Sequence, residues 1–486
     1  MSFKLTSEQT AIVSAYADTT DNLLIRARAG AAKTSTLTLM AEAVNCKTLC
    51  LAFNKSIATE MTERMPAWVE SRTLSALGYR VWASRLNRRL KMNDNKLYRL
   101  LANELDTLTP AEQVAYRDIF RDLLTTLEQM KTLGVCDSEA FPRATPLVTL
   151  DDFFTNRSEF EFTQAEMALL TSVYNASMKL GFKGEIDFAD MVLLPALFSC
   201  QWPVYSCVMV DEAQDLSPLN HVMLQKLTAK PSTRLIVVGD DLQAIYGWRG
   251  ADTASLSTLA SHHTFVELKL TTSFRCPVSV IREAQTHAED IRAWDQSDEG
   301  EVTYYPDWDP TNLPPGSTII CRNNSPLFSL AIWMLTKGVY AKLVGNDLAL
   351  QLKKTMAKLG KPNSSRQLAL SKLSSWESRE KSRSRNKSLV EEKATCMRLF
   401  LRNTETLGDA QMLLEKILSS TGSVSLMTGH RAKGLEFPHV YFYKPELINR
   451  EDSKQEANLF YVIQTRALRS LNYVNDSFRE NENENT

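Results

Sequence analysis

The chain has no Cys-x-x-Cys pair; its eight cysteines stand at 46, 50, 136, 200, 207, 276, 321 and 396. Cys46 and Cys50 are the nearest neighbours, with no second pair and no histidine cluster beside them. That spacing excludes the common zinc sites and a disulfide framework, and points to free, buried thiols in a reducing cytosol. No leader-like segment or long apolar run is visible, so the expected location is cytoplasmic, with no membrane partner. An excess of positive charge is also missing: 56 Lys and Arg face 57 Asp and Glu, a formal charge of -1. The whole chain therefore carries no nucleic-acid footprint, although a neutral protein can confine its basic residues to one channel. What remains is a globular composition, 44% hydrophobic and 23% charged, in a chain of 486 residues. That length is too great for one ordinary core, so several domains are expected.

The most informative stretch is 239–251, Gly-Asp-Asp-Leu-Gln-Ala-Ile-Tyr-Gly-Trp-Arg-Gly-Ala, directly after the apolar run Leu235-Ile236-Val237-Val238. Upstream, Val208-Met209-Val210 runs into Asp211-Glu212-Ala213-Gln214-Asp215. Two buried strands thus deliver an acidic pair and a Gln/Tyr/Trp/Arg cluster to one sheet edge, the edge where open α/β sheets bind ligands. A third element converges there. Leu23-Leu24-Ile25 leads into Arg26-Ala27-Arg28-Ala29-Gly30-Ala31-Ala32-Lys33-Thr34, followed by a helical pattern through Leu37, Met40, Ala41 and Val44. Strand, small-residue loop, Lys-Thr and helix form the layout of a phosphate-binding loop. In that layout Ala29, Gly30, Ala31 and Ala32 cradle phosphates, Lys33 reaches the β/γ oxygens and Thr34 holds Mg²⁺. Ala32 stands where the pattern has glycine. If the position needs φ > 0, an L-residue there costs about 1–2 kcal/mol.

With these residues in view, the chain resembles the UvrD/Rep/PcrA-like superfamily 1 DNA helicases, and among them the compact phage and F-box-type members. Thr6 to Gln9 resembles the Q motif, Ala27 to Thr34 motif I, Ala52 to Lys55 motif Ia, and Thr73 to Gly78 motif Ib. Asp211 to Asp215 and Gly239 to Ala251 resemble motifs II and III, Leu270 to Arg275 motif IV, Thr428 to Phe437 motif V, and Leu459 to Ala467 motif VI. Ser75 departs from the histidine usual in motif Ib.

The resemblance implies two RecA-like α/β motor domains, each a parallel sheet flanked by helices, and an ATP- and Mg²⁺-dependent motor. It assigns Asp211 to Mg²⁺ together with Thr34, Glu212 to accepting a proton from the attacking water, and Gln243 to sensing the γ-phosphate. Arg275 and Arg466 look like the arginine pair on that phosphate, with surface ion pairs as the bland alternative. Gln9 resembles the reader of the adenine edge, and Glu436 the ribose contact. Phe274 either stacks on the base or belongs to the core. For DNA, Asn54, Lys55, Thr73 and His430 match contact positions. Trp248 is the better base stack, and Tyr246 is either a second one or buried. The implied partners are single-stranded DNA and single-/double-strand junctions, with replication or recombination proteins beyond them, acting on a monomer. A phage-encoded member would work in the host cytoplasm. The alternative is a non-catalytic single-strand-binding scaffold with a degenerate loop at Ala32. Retention of Lys33, Thr34, Asp211, Glu212, Gln243, Arg275 and Arg466 argues against it.

By the same reading, 1–84 and 183–277 form motor domain 1A and 85–182 a helical insertion, 1B, with Leu97, Leu100, Leu101 and Leu105 at helical spacing. Residues 278–345 and 421–478 form motor domain 2A, with strands at Ser317–Cys321 and Val424–Met427. A short basic insertion, 346–420, replaces the larger 2B. Its Ser/Lys/Arg-rich run 374–387 has the composition of a disordered or mobile arm, and the tail 479–486 that of an unstructured end.

Overall fold

The computed structural model describes residues 5–247, 250–305, 308–345 and 347–477. Its internal contacts divide it into two compact units. The first joins the residues up to Ala27 with Ala32–Leu270, and the second joins Arg28–Ala31 with the residues from Thr271 onward.

The first unit is built on β1 (Leu23–Ala27), β2 (Thr48–Ala52), β3 (Val69–Thr73), β4 (Cys207–Val210), β5 (Arg234–Gly239) and β6 (Val266–Leu270). They form one parallel sheet in the order β3-β2-β4-β5-β1-β6. A parallel sheet covered on both faces needs strands without polar alternation. β2 and β4 meet that demand: each is buried at every position. β5 lies between β4 and β1 and is parallel to both, so the carboxyl ends of β4, β5 and β1 lie side by side. That is where a doubly wound sheet opens its crevice.

Helices close the faces: α1 (Ser7–Asp18), α2 (Lys33–Ala43), α3 (Lys55–Arg64) and α4 (Leu74–Leu86). α5 (Lys96–Leu105), α6 (Pro110–Leu133) and α7 (Gln164–Phe182) follow, then α8 (Asp190–Leu197), α9 (Pro218–Leu227) and α10 (Ser255–His262). The helical character expected for 85–182 is thus present in α5–α7. These helices share one apolar core with the sheet, in which Leu101, Leu123, Leu170, Tyr174 and Trp82 are buried with Val208 and Val237. This unit also buries a cluster of four charges. Lys131 reaches Asp187 and Asp190, Lys96 bonds Asp190, and all but Asp187 are fully buried. Burial pushes the Lys96 ammonium below its ordinary range. Burial alone would raise Asp190, but Lys131 and Lys96 bring it below the usual carboxylate range.

The second unit carries β7 (Glu301–Tyr305), β8 (Ser317–Cys321), β9 (Ala341–Leu343), β10 (Val424–Thr428), β11 (Phe437–Tyr443) and β12 (Ala467–Val474). This sheet is also parallel, in the order β7-β12-β11-β8-β10-β9. Its helices are α11 (Val278–Ala284), α12 (Asn324–Thr336), α13 (Asp347–Lys358), α14 (Arg366–Arg383), α15 (Lys387–Arg402), α16 (Leu407–Leu418) and α17 (Lys454–Gln464). The fold class is therefore α/β, two parallel sheets flanked by helices in the RecA-like manner.

One expectation is corrected here. The 374–387 run is not a disordered arm: most of it lies in α14, which pairs with α15 as a helical hairpin. Its inner face buries Ala369 and Leu373 in the second unit's core, with Phe400 and Leu414. The charges ride on the outside in an ordered mesh, Glu377 meeting both Lys381 and Arg398, and Lys381 also meeting Glu391. Composition suggested disorder; helical spacing of the few apolar residues decided the outcome. The 479–486 tail lies outside the described residues. All eight cysteines are free thiols, six of them buried. Among the described residues no helix is long and apolar enough to cross a membrane.

Candidate nucleotide and nucleic-acid site

β1 ends in a loop whose glycine is obligatory. Gly30 has φ +72°, and a Cβ there would fall 2.5 Å from the Arg275 Cβ and 2.6 Å from the Ser273 hydroxyl. The loop's backbone is further pinned by Phe274 N–H donating to Gly30 O (2.9 Å) and Ala29 N–H donating to the Tyr461 hydroxyl (3.0 Å). Ala32 then takes the left-handed conformation, φ 53° and ψ 42°, as the residue before α2. The position does need φ > 0, and the alanine bears the corresponding strain.

Lys33 and Thr34 open α2 and meet the acidic pair that follows β4. Lys33 Nζ lies 3.2 Å from Glu212 Oε1, and the Thr34 hydroxyl donates to Asp211 Oδ2 at 2.7 Å. The Asp211 carboxyl is pushed up to about 6, first by its burial and then by the neighbouring Glu212 charge, with Lys33 and Thr34 opposing. Two carboxylates crowded beside a hydroxyl form a site that a divalent cation would stabilise. Mg²⁺ usually takes only one or two protein oxygens and completes its shell with phosphate and water, so Thr34 and Asp211 fit it.

Gln214 is a member of this site that the sequence reading left unassigned. It is 2% exposed. Its amide nitrogen donates to Glu212 Oε2 at 2.5 Å, and its carbonyl oxygen accepts from Asp240 N–H at 2.9 Å. It thereby ties the acidic pair to the loop after β5. There Gln243 is buried and donates to Asp240 Oδ2 at 2.7 Å. Only its place two residues after the acidic pair hinted at this part; a neutral amide carries no other signal.

Gln9 is occupied by local structure. Its side chain accepts from Thr6 N–H (3.1 Å), closing a capping box on α1, and donates weakly to the Thr36 hydroxyl (3.4 Å). Asn54 and Thr73 are N-caps, receiving Ile57 N–H (2.9 Å) on α3 and Ala76 N–H (3.1 Å) on α4. Thr73 ends β3 and Asn54 stands two residues past β2, both at the carboxyl end of the sheet, and Lys55 beside Asn54 is exposed.

Next to these caps a cavity of about 370 Å³ is lined by Phe53, Thr73, Phe188, Asp211, Asn220 and Tyr246, among others. The Phe53 and Tyr246 rings are parallel, their centroids 6.2 Å apart and their planes within 1°. Phe53 is 48% exposed and Phe188 65%. Tyr246 is half-buried, so it belongs to the groove rather than the core. Phe53 and Phe188 were missed because an aromatic beside a strand or helix end reads as core until its exposure is known. Trp248 lies outside the described residues.

The second unit holds the two arginines on one residue. Arg275 donates to Glu436 Oε1 at 2.6 Å and to Thr465 O at 3.4 Å. Arg466 is 1% exposed and donates to Val462 O (2.9 Å), the Thr465 hydroxyl (3.1 Å) and Leu435 O (3.3 Å). Burial, then Arg275, lowers Arg466 to about 10, which leaves it cationic at neutral pH. Glu436 thus serves Arg275. Phe274 packs at a tilt on Trp294, 5.7 Å between centroids. His430 is half-buried in the short helical turn Gly429–Ala432 after β10.

Comparison with known proteins agrees with this geometry. Residues 5–264 match the UvrD/REP helicase N-terminal domain, and residues 423–474 the UvrD-like helicase C-terminal domain. F-box DNA helicase protein 1 of Schizosaccharomyces pombe is 24% identical over 97% of this chain and 57% of its own length. The ATP-dependent DNA helicase PcrA of Bacillus subtilis is 25% identical, covering 59% of this chain and 41% of the relative. F-box DNA helicase 1 of Gallus gallus is 27% identical, covering 56% and 26%. The chain thus spans less than two thirds of the length of each of these relatives.

Proposed function

This chain belongs to the UvrD/Rep helicase family, and from that premise we propose that it is an ATP-driven motor on single-stranded DNA. It moves 3′ to 5′ and unwinds duplex during replication, recombination or repair. The observation that carries the reading is the meeting of Lys33 and Thr34, in the segment after β1, with Glu212 and Asp211, at the end of β4. Phosphoryl transfer asks a protein mainly for positioning and charge neutralisation.

Lys33 exchanges its Glu212 partner for the β/γ-phosphates, which frees the carboxylate to take a proton from water. Gln214 keeps that carboxylate aimed, and Gln243 reports the γ-phosphate to the loop that bears Tyr246. Thr34 and Asp211 would hold Mg²⁺, which supplies charge neutralisation at the phosphates when bound. Arg275 and Arg466 add positive charge at the γ-phosphate, a contribution worth about 10³–10⁵ in rate for such arginines. Phe53, Tyr246 and Phe188 offer stacking platforms, and the caps at Asn54 and Thr73 with Lys55 offer contacts to the backbone of the strand.

The test is steady-state ATP hydrolysis with and without single-stranded DNA, followed by strand displacement on duplexes carrying a 3′ or a 5′ overhang. DNA-stimulated hydrolysis and displacement from the 3′ overhang are expected. Single-strand binding without hydrolysis would overturn the motor reading in favour of a scaffold with a degenerate phosphate loop. Displacement from the 5′ overhang alone would overturn the polarity.

A further inference from the structure

The helical insertion of the second unit is fastened to the helix that leads to the motif VI arginine. The fastening is the three-residue segment Arg322-Asn323-Asn324, which leaves β8 and opens α12. On one side Glu392 of α15, inside the insertion, accepts from Asn324 N–H (2.9 Å) and from its side-chain amide (3.1 Å). Asn323, the N-cap of α12, makes no capping bond, so Glu392 supplies the carboxylate that this helix start lacks. On the other side Arg322 grips Glu456 of α17 with Nε 3.0 and 2.9 Å from its two oxygens and Nη2 at 2.8 Å. Arg322 also donates to Asn323 Oδ1 at 3.3 Å.

Glu456 sits in the first turn of α17, where Ser453 caps its N–H at 3.2 Å. Two residues beyond the other end of α17 stands Arg466, bonded back to Val462 O of that helix. A guanidinium held in a planar fork fixes orientation as well as distance, which a single point contact would not. Both carboxylates therefore act on one short segment, and a shift of the insertion is passed to the axis of α17.

Resting on the motor reading above, we propose that Glu392 and Arg322 are positioning residues for Arg466. Through them the insertion sets whether the arginine is aimed for γ-phosphate transfer. Neither touches substrate. A misplacement of about 1 Å far from the chemistry can cost on the order of 10²-fold.

The test uses the full chain and begins without nucleotide. Hydrogen–deuterium exchange across 454–466 should quicken in Glu392→Ala and stay as in the parent in Glu392→Gln, whose amide oxygen still accepts from Asn324. DNA-stimulated hydrolysis should then show kcat about tenfold lower in Glu392→Ala with KM for ATP within twofold, and near-parental kcat in Glu392→Gln. Arg322→Lys, which keeps the charge but loses the fork, should behave like Glu392→Ala. In an Arg466→Ala background Glu392→Ala should lower the residual kcat no further, since both changes then act through one group. Unchanged exchange over 454–466, or an equal loss of kcat in both backgrounds, overturns the proposal. A parent chain that hydrolyses no ATP overturns the motor reading, and this proposal with it; hydrolysis that ignores Glu392 and Arg322 overturns this proposal alone.

Discussion

Ala32, which precedes Lys33, and Glu212, the ion-pair partner of Lys33, both hold left-handed backbone, with φ of 53° and 50°. Neither is glycine, so each stores strain at the point where phosphate is expected to sit. Strain of this kind persists where the surrounding structure over-determines it, and it clusters at functional sites.

Ala32→Gly should relieve about 1–2 kcal/mol at that position while costing roughly 0.5–1 kcal/mol in unfolded-chain entropy. A small net gain in thermal stability is expected, with tighter ATP binding or faster turnover. Thermal melts and steady-state hydrolysis of both forms decide it. A less stable glycine variant with unaltered kinetics would mean the loop holds alanine without strain.

Gln214→Leu removes the amide that joins Glu212 to Asp240 N–H and leaves the latter buried without its acceptor. On the proposed roles of Glu212 as base and Gln243 as γ-phosphate sensor, turnover should fall about tenfold to a hundredfold, since both lose their aim together. Glu212→Gln should cost at least about a hundredfold, in line with loss of a general base. Normal hydrolysis by Glu212→Gln would remove Glu212 from the mechanism.

Much of this was legible in the chain itself, and for a stated reason. Leu23 to Ile25, Val208 to Val210 and Leu235 to Val238 are uniformly apolar and each runs straight into polar residues, so strand and site were visible together. What stayed hidden depends on packing. Asn54, Thr73 and Gln9 read as ligand contacts, yet Asn54 and Thr73 cap helices and Gln9 completes a capping box, roles that need only the local backbone. Ser374 to Lys387 read as disorder because charge was weighed over the helical spacing of Leu370, Leu373 and Trp376. The parallel faces of Phe53 and Tyr246 join residues too far apart in sequence for any local pattern to reveal.

Phe53→Ala should weaken single-strand affinity by roughly 5- to 150-fold, the equivalent of the 1–3 kcal/mol that one stacked base supplies. ATP affinity without DNA should hold, since Phe53 lies in the groove and not among the phosphate-loop residues. Fluorescence anisotropy with an oligonucleotide measures the first and nucleotide titration the second. Unchanged anisotropy would make the ring pair a packing feature.

His221 gives the fold a pH dependence of predictable sign. Its ring is 4% exposed, its Nε2 is 3.4 Å from Asp252 Oδ2 without hydrogen-bond alignment, and burial lowers it to about 4. Asp252 opposes that shift, while His262 and His263 add to it. The unfolded chain, titrating near 6.5, binds the proton more readily, so this contribution is intact above pH 6.5 and is lost as pH falls toward 4. Between pH 7 and pH 5 the loss is on the order of 2 kcal/mol. Denaturant melts of the parent and His221→Phe at both pH values should differ by that amount. Parallel losses in the two would clear His221.

Lys131→Met breaks the four-charge cluster from one side and leaves Asp187 and Asp190 sharing Lys96. Removing one partner of a buried pair costs about 3–5 kcal/mol. Denaturant unfolding should register a loss of that size. A loss under about 1 kcal/mol would mean that water enters and rehydrates the aspartates.

The sheet order of the first unit also governs how a nascent chain lives. β1 has Leu23 in register with Ile236 on one side and Val266 on the other. At a synthesis rate of roughly 5–20 residues per second, its neighbours emerge on the order of ten to fifty seconds later. For that interval Leu23, Leu24 and Ile25, all fully buried in the finished protein, form an open apolar edge on the ribosome. The strand that presents the phosphate loop is thus the last in this sheet to be enclosed, and the newborn polypeptide is most exposed to misassembly there.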